Sequence, residues 1–351
     1  MSPLLLTLLA CDPGTAGRYQ AFVHQGDGDF AAEPRAISAL SDPYRLDGEL
    51  GTGRAGGTVG IDWSSGRAIY DEGKPLTVNY AVQDDVGEPL DMEALILFSL
   101  YGNLQDARDR LGDLDIDIGE LFPMNIAVSP ALPDPTMGAF PADNEAYVPG
   151  TNTMIVLPDL TSELPLAANT GVVFHEFGHG LFHYLTSGDV YGDRLLDLDQ
   201  PAELTDGAGS LDEGFADMLG TLLTDDPSFI SRSIVLPERD VTGDHTAAGV
   251  EVLPGEFTDG GVLATYDPYP LGTVFASVSW DLRIASDDPG RTLQWDAEAV
   301  QDWAVGEDLT VYRWLDALVA VVARDSPSLE DDLCRSIETR FADVWVVEQC
   351  P

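Results

Sequence analysis

Apolar and polar residues alternate in short runs near the start of the chain and recur at helical spacing through most of the remainder. Between residues 12 and 90, runs such as 58–63 and 76–82 alternate with a period of two, and stretches rich in Gly, Asp and Pro separate them. This pattern predicts short strands joined by turns. It leaves open whether region 12–90 is a small β module or the opening sheet of the domain that follows.

Helical spacing begins at residues 91–113, where apolar residues recur every three or four positions. Short apolar runs at 124–128 and 153–157 then predict strands, with residues 144–148 between them. Later apolar segments are long enough for helices, at 172–182, 211–223, 269–282, 311–323 and 329–341. We therefore predict an α+β fold, in which a small mixed β-sheet precedes a mainly helical C-terminal half.

Two histidines interrupt the apolar helix predicted at residues 172–182. His175 and His179 are four positions apart, so their side chains share one face, about 6 Å apart along the axis. Two neutral imidazoles at this spacing can bind one zinc ion. Glu176 lies about 100° round the helix, where its carboxylate can take a proton from a water on the metal. The alternative is a buried helix with two hydrogen-bonded histidines, although burying these groups is costly without a task.

The same helix contains two glycines and a third histidine. Gly178 and Gly180 lower helix propensity, so we expect them to allow close packing against a neighbouring backbone. His183 lies one turn beyond His179, again about 6 Å along the axis, and is not expected to reach the same ion.

A second apolar helix supplies candidates for the remaining ligand. Glu213 and Asp217 are also four apart, so they share a face. Glu213 can complete a His-His-Glu site that leaves a fourth position for water. Asp217 can accept a hydrogen bond from a ligating imidazole and so orient it. The alternative is a solvated acidic face, but buried carboxylates require partners.

These two segments resemble the metal-binding motifs of thermolysin-like zinc metallopeptidases (gluzincins), and are closest to the fungalysin family. The matching residues are His175-Glu176-Phe177-Gly178-His179-Gly180 and Glu213-Gly214-Phe215-Ala216-Asp217. A looser likeness covers residues 267–282, and the resemblance runs from about residue 91 to the C-terminus. It implies a zincin catalytic domain over 91–351, with a Zn²⁺ cofactor. The implied activity is that of an endopeptidase acting on peptide or protein substrates.

The resemblance also implies further site residues. Fungalysin-like enzymes carry a histidine that stabilises the transition-state oxyanion, and this chain has Tyr269 at that position. The rival donor is His245, which lies nearer in sequence to the metal helix but matches no motif of these enzymes. The clan uses an Asn-Ala-aromatic edge strand to pair with substrate. Here Glu145 interrupts that pattern, so only Ala146 carries over as a substrate-binding residue.

Two other classes of protein remain open. One is an exported, surface-anchored binding protein with a vestigial zinc site, and the other is a structural lipoprotein stabilised by metal. Glu176 argues against both, because a purely structural site has no use for a base beside an open metal position.

Composition narrows the set of partners. The 351 residues carry a formal charge of −44, and Lys74 is the only lysine. Such a surface disfavours nucleic acid and anionic membranes, since phosphate contacts need Lys and Arg. We expect a monomer with a peptide or protein substrate. Asp193, Asp197 and Asp199 are candidates for Ca²⁺, although no EF-hand spacing is present.

Residues 1–11 predict export. The apolar run is too short to span a bilayer and ends in Leu8-Leu9-Ala10-Cys11, which resembles a bacterial lipobox with Cys11 as the lipidated residue. The alternative is a trimmed ordinary signal. The expected location is therefore the cell envelope, with membrane contact only through the lipid, or the exterior. Export would permit a disulfide between Cys334 and Cys350.

Overall fold

The computed structural model describes residues 17–26, 28–62, 67–119, 121–132, 144–158, 163–189, 202–248, 250, 267–306, 310–342 and 344–350. Two sequence predictions lie outside these residues. They are the export segment 1–11 with its lipidation site Cys11, and the candidate calcium ligands Asp193, Asp197 and Asp199.

Strands dominate the described chain as far as residue 157, with one helix at 92–113 among them, and helices dominate the remainder, as the α+β prediction expects. The strands are β1 (Arg18–Gly26), β2 (Asp29–Arg35), β3 (Leu40–Asp42), β4 (Asp47–Gly48), β5 (Gly51–Ala55), β6 (Thr58–Asp62), β7 (Arg67–Asp71), β8 (Lys74–Pro75), β9 (Tyr80–Gln83), β10 (Val86–Pro89), β11 (Met124–Val128), β12 (Asn144–Val148) and β13 (Thr153–Leu157). The helices are α1 (Met92–Asp113), α2 (Thr170–Ser187), α3 (Ala202–Thr224), α4 (Tyr269–Ser286), α5 (Pro289–Ala304), α6 (Arg313–Asp325) and α7 (Glu330–Phe341).

One mixed sheet runs in the order β12-β13-β11-β5-β4-β3, with β8 beside β5. The β11–β13 and β11–β5 pairs are parallel, whereas β12 pairs with β13 antiparallel. Strand β12 therefore forms one edge of this sheet, and it contacts helix α2. A second sheet has the order β2-β1-β10-β9, and β6 pairs with β7.

Part of region 12–90 shares a sheet with the rest of the chain. Strand β5 pairs with β11 over five residues, from Gly51 with Met124 to Ala55 with Val128. One apolar core extends from Tyr19 to Val347. The described part of region 12–90 is thus joined to the following chain through β3, β4, β5 and β8, whereas β1, β2, β9 and β10 form a sheet of their own.

Two predicted boundaries are corrected by the structure. The run 76–82 is a strand only from Tyr80, because the Val78 N–H bonds to the Tyr44 carbonyl outside any ladder. Its alternation reflects the burial of Leu76 and Val78. Helix α3 begins at Ala202, well before the apolar segment 211–223 from which the sequence predicts it.

Glycines bring three helices unusually close together. A Cβ atom at Gly178 of α2 would lie 2.7 Å from the Cα atom of Ala216 in α3. A Cβ atom at Gly214 would lie 2.7 Å from the Gly272 carbonyl oxygen in α4. A Cβ atom at Gly180 would lie 3.0 Å from Cζ of the Tyr147 ring. The predicted close approach to a neighbouring backbone is therefore found at Gly178, whereas Gly180 packs against a side chain.

The described helices include none with the length and apolar character needed to cross a membrane.

A disulfide joins Cys334 of α7 to Cys350, with the sulfur atoms 1.99 Å apart. The bridge closes a sequence separation of 16 residues and holds the C-terminal tail against α7. The pairing that the sequence suggested is present.

Removing this bridge should destabilise the protein, because it constrains the unfolded chain. Replacing both Cys334 and Cys350 with Ser is expected to lower the free energy of unfolding by about 3 kcal/mol. Urea denaturation measures the loss. Reductant should weaken the wild type to the same extent and leave the double variant unchanged. Equal stability of oxidised wild type and double variant would contradict the structural role of the bridge.

Candidate metal centre

Helix α2 carries His175, His179 and His183 at successive turns. Asn169 caps its N-terminus by accepting a hydrogen bond from the Gly171 N–H at 3.0 Å. Gly188 follows the last residue of the helix as its C-cap, and its φ of 70° lies in the left-handed region that glycine favours. His175 and His179 stand one turn apart between these ends, with ring centroids 4.8 Å apart.

Glu213 of α3 faces both histidines. Its Oε2 atom lies 3.5 Å from His175 Nε2 and 3.8 Å from His179 Nε2. One ligand atom from each of the three residues falls within 4.8 Å of the others. Two ligands bound about 2.0 Å from one tetrahedral ion lie about 3.3 Å apart, so the two distances from Glu213 are compatible with binding of a single metal.

The chemistry of the pocket also fits a cation. Glu213 Oε2 is buried and has no hydrogen-bond partner among the described residues. Such an atom is costly unless a cation or a donor satisfies it. Four carboxylates lie close together here, those of Glu176, Asp212, Glu213 and Asp217. Among the described residues, Arg239 supplies the one guanidinium that contacts this group. A divalent ion would offset most of this excess negative charge.

Asp217 supports His175 from behind, as the sequence predicts. Its Oδ1 atom lies 3.0 Å from His175 Nδ1, on the side of the ring opposite Nε2. Arg239 binds the same carboxylate in a bidentate manner, with Nε 3.1 Å from Oδ2 and Nη2 2.5 Å from Oδ1. Asp217 retains 1 % of its surface exposed, so this guanidinium supplies the countercharge that its burial requires.

Asp212 supports His179 in the same way, and the sequence argument missed it. His179 Nδ1 lies 2.8 Å from Asp212 Oδ1, and His183 Nε2 lies 3.3 Å from Asp212 Oδ2. His183 thus stands outside the ligand group, as its position one turn further on predicts. The available signal was the place of Asp212, directly before Glu213 on a buried helix.

The carboxylates hold protons on this cluster. Burial lowers the pKa of the His179 imidazolium, but Asp212 and Glu213 outweigh that effect and raise it to about 10. Burial raises the pKa of Glu213 against the opposing influence of His179 and His175. Burial also acts to raise the pKa of Asp217, but the Arg239 guanidinium more than reverses this and lowers it.

Glu176 is fixed by the edge of the sheet. Its Oε2 atom accepts a hydrogen bond from the Tyr147 backbone N–H at 2.9 Å. Its Oε1 atom lies 3.9 Å from His175 Nε2. The carboxylate therefore stands beside the candidate ligands without being one of them. The tether from β12 is a backbone contact that no side-chain motif reveals.

This tether also corrects the expectation for Ala146. Because the Tyr147 N–H points to Glu176, the Tyr147–Met154 pair is not hydrogen-bonded, and the neighbouring Ala146–Ile155 pair is. The backbone of Ala146 therefore faces β13. The backbone groups of Glu145 and Tyr147 point to the other side of β12, the side of Glu176.

A cavity of about 420 Å³ opens beside the metal ligands. His175 and Glu176 form one part of its wall, and Arg239, His245 and Tyr269 form another. Apolar side chains line much of the remainder, namely Leu166, Val172, Phe229, Ile230, Ile234 and Leu236. The fold thus brings the candidate base and both candidate oxyanion donors to one cavity.

The two candidate donors differ in the hydrogen atoms that they can offer. The Arg239 guanidinium lies 4.3 Å from the Tyr269 ring centre, and 43 % of Tyr269 is exposed. The negative charge of Glu213, followed by burial, raises the pKa of this phenol, which therefore keeps its proton. His245 Nε2 lies 2.7 Å from the Asp240 carbonyl oxygen, so the Nε2–H is already used and a neutral ring has no second N–H.

No protein-family model matches this chain, and no curated protein sequence matches it. Evidence for a function therefore comes from the site itself.

Metal binding should displace protons from this cluster. With a pKa of about 10, His179 carries a proton near neutral pH and must lose it to bind a metal. Zinc added to metal-free protein at pH 7.5 should release about one proton, and its affinity should rise with pH up to about 10. Calorimetry in buffers of different ionisation enthalpy measures the release. The control is the His175→Ala, His179→Ala double variant, which should bind no zinc; tight binding by that variant would contradict the site.

Proposed function

We propose that this chain is a zinc-dependent endopeptidase of the thermolysin-like type, most similar to the fungalysin family. The observation that carries the proposal is the convergence of His175, His179 and Glu213, with Glu176 beside them. The mixed sheet whose edge lies against α2, followed by a helical half, supports a thermolysin-like zincin fold.

The donor set favours zinc over the other common divalent ions. Two imidazole nitrogens and one carboxylate oxygen suit Zn²⁺, whereas calcium and magnesium prefer oxygen ligands alone. Three protein ligands are typical of a catalytic zinc site, in which the fourth position is left for water or substrate. Asp217 and Asp212 then orient the two imidazoles, as carboxylates commonly do behind ligating histidines.

A bound zinc ion would supply Lewis acidity, which lowers the pKa of a water molecule and polarises a peptide carbonyl. Glu176 accepts the proton of the attacking water and passes it to the leaving amine. The Tyr147 N–H holds one oxygen of this carboxylate and so limits its rotation. The other oxygen remains on the side of His175, where it could accept the proton of a water molecule.

An extended peptide would lie along the edge strand β12. Edge strands offer backbone groups to a peptide that adds as a further strand. The side of β12 that faces Glu176 carries the backbone of Glu145 and Tyr147, so these residues replace Ala146 as the expected contacts. The apolar part of the cavity would then receive a substrate side chain.

The oxyanion needs a donor in addition to the metal. Tyr269 supports this role better than His245, because its phenol keeps a proton while the Nε2–H of His245 is used by Asp240. The stacking of Arg239 on the Tyr269 ring limits the movement of the phenol. Export, and lipid attachment at Cys11 or release to the exterior, remain predictions.

The first test separates metal binding from chemistry. Glu176→Gln should retain zinc and lose nearly all peptidase activity, because an amide cannot accept the proton. Zinc content and the rate of casein cleavage measure the two properties, and the chelator sensitivity of wild-type cleavage confirms the metal requirement. Glu338→Gln, at an exposed glutamate on α7, is the matched control and should behave as wild type.

Two results would contradict the proposal. Casein cleavage by Glu176→Gln at the wild-type rate would exclude Glu176 as the base. Tight zinc binding by wild-type protein that cleaves no peptide would favour the alternative of an exported binding or structural protein.

The second test compares the two oxyanion donors. Tyr269→Phe removes the hydroxyl group but keeps the ring on which Arg239 stacks, so it isolates the hydrogen bond. It should lower kcat about a hundredfold with little change in KM, equivalent to about 3 kcal/mol of transition-state stabilisation. His245→Ala should have a smaller effect on kcat. The opposite ranking would assign the role to His245, and two variants with wild-type kcat would mean that neither side chain acts as the donor.

A further inference from the structure

The second histidine of the metal centre, His179, begins a chain of three contacting side chains that continues through Asp212 to His183. His179 and His183 lie one turn apart on α2, and Asp212 of α3 stands between them. Asp212 Oδ1 is 2.8 Å from His179 Nδ1, and Asp212 Oδ2 is 3.3 Å from His183 Nε2. The side chains of His179, Asp212 and His183 retain 13, 18 and 6 % exposure respectively. Each carboxylate oxygen of Asp212 therefore meets a different imidazole in a largely water-excluded place.

The first histidine of the centre has an equivalent arrangement. His175 Nδ1 meets Asp217, and Asp217 in turn meets the buried guanidinium of Arg239. In both cases a candidate ligand is followed by a carboxylate and then by a nitrogen donor. His183 therefore contacts the carboxylate behind His179, as Arg239 contacts the carboxylate behind His175.

We propose that His183 is a positioning residue for the metal centre. Its Nε2–H donates to Asp212 Oδ2 and holds the carboxylate plane, so that Oδ1 remains in line with the Nδ1–H of His179. With that ring held, His179 Nε2 stays directed toward Glu213, from which it lies 3.8 Å. This inference rests on the metal site of the proposed function and adds a residue that the metal-binding motif does not include.

The contact with His183 matters because, without it, only one carboxylate oxygen of Asp212 would be held by an imidazole. A carboxylate that accepts a single hydrogen bond can rotate about its terminal torsion, which is broad for Asp. Rotation would tilt the Oδ1 acceptor away from His179 and bring negative charge toward Glu213. Partners behind a ligating histidine commonly change metal affinity by about 10- to 100-fold when they are removed. A purely space-filling His183 would have no such effect.

Two amide substitutions distinguish positioning from space filling. The amide nitrogen of Gln reaches about as far along the side chain as Nε2 of His, whereas that of Asn reaches only as far as Nδ1. The contact to Asp212 uses Nε2, so His183→Gln should keep it and His183→Asn should lose it. His183→Phe removes the donor while keeping a ring in the core. Tyr184→Phe is the matched control, because the Tyr184 hydroxyl contacts Asp117. Asp117 takes part in none of the metal-centre contacts described above.

The zinc dissociation constant of each variant is measured by competition with a chromophoric chelator at pH 7.5, and the Co²⁺-loaded proteins are compared by visible absorption. His183→Phe and His183→Asn should raise the Kd for zinc about tenfold or more and alter the Co²⁺ spectrum. His183→Gln and Tyr184→Phe should stay within about threefold of wild type. Circular dichroism checks that each variant folds, and if His183→Phe does not, the comparison of Gln with Asn decides.

Wild-type affinity in His183→Phe, or equal affinities in the Gln and Asn variants, would overturn the positioning role. Failure of the proposed function gives a different result. If wild-type protein binds zinc but cleaves no peptide, the peptidase proposal fails while the ranking of His183 variants still decides the inference. If wild-type protein binds no zinc, both are overturned.

Discussion

Charge compensation between α2 and α3 is the constraint on which this site depends. Four carboxylates lie close together there, and among the described residues one guanidinium, that of Arg239, contacts them. Removing a charge from water costs several kcal/mol unless partners replace the lost hydration. Protons on His179 meet part of this demand, which is why its pKa rises despite burial. A divalent cation between the two imidazoles and Glu213 would meet it more fully, and so the electrostatics and the ligand geometry point to the same occupant.

Close helix packing sets the distances over which this compensation works. Gly178 admits the backbone of α3 next to α2, and Gly214 admits the backbone of α4 next to α3. A larger side chain at either place would push the helices apart, because protein interiors contain little free space. The spacing of 3.5 to 3.8 Å between Glu213 and the two histidines is therefore a property of the glycine contacts as much as of the ligands.

Arg239 connects the candidate metal centre to the cavity wall. Its guanidinium binds the carboxylate behind His175 and also stacks on the ring of Tyr269. The candidate oxyanion donor is thus held by the same cation that balances Asp217. Tyr147 makes a comparable connection on the other side, where a backbone N–H of the edge strand fixes Glu176. The groups proposed to act on the substrate are each held by a neighbour from a different element.

The sequence by itself determined the local features of this protein. The spacings of His175, His179, Glu213 and Asp217 predict shared helix faces, because helix geometry depends only on positions a few residues apart. Apart from Asp217, which the sequence predicts, tertiary structure alone decided which groups support the candidate ligands and the candidate base. Asp212 meets His179 from another helix, Arg239 reaches Asp217 from 22 residues further along the chain, and the tether of Glu176 is a backbone N–H. It also turned the backbone of Ala146 toward β13 and joined region 12–90 to the central sheet. Those contacts depend on how distant segments pack and on strand register, which no local spacing encodes.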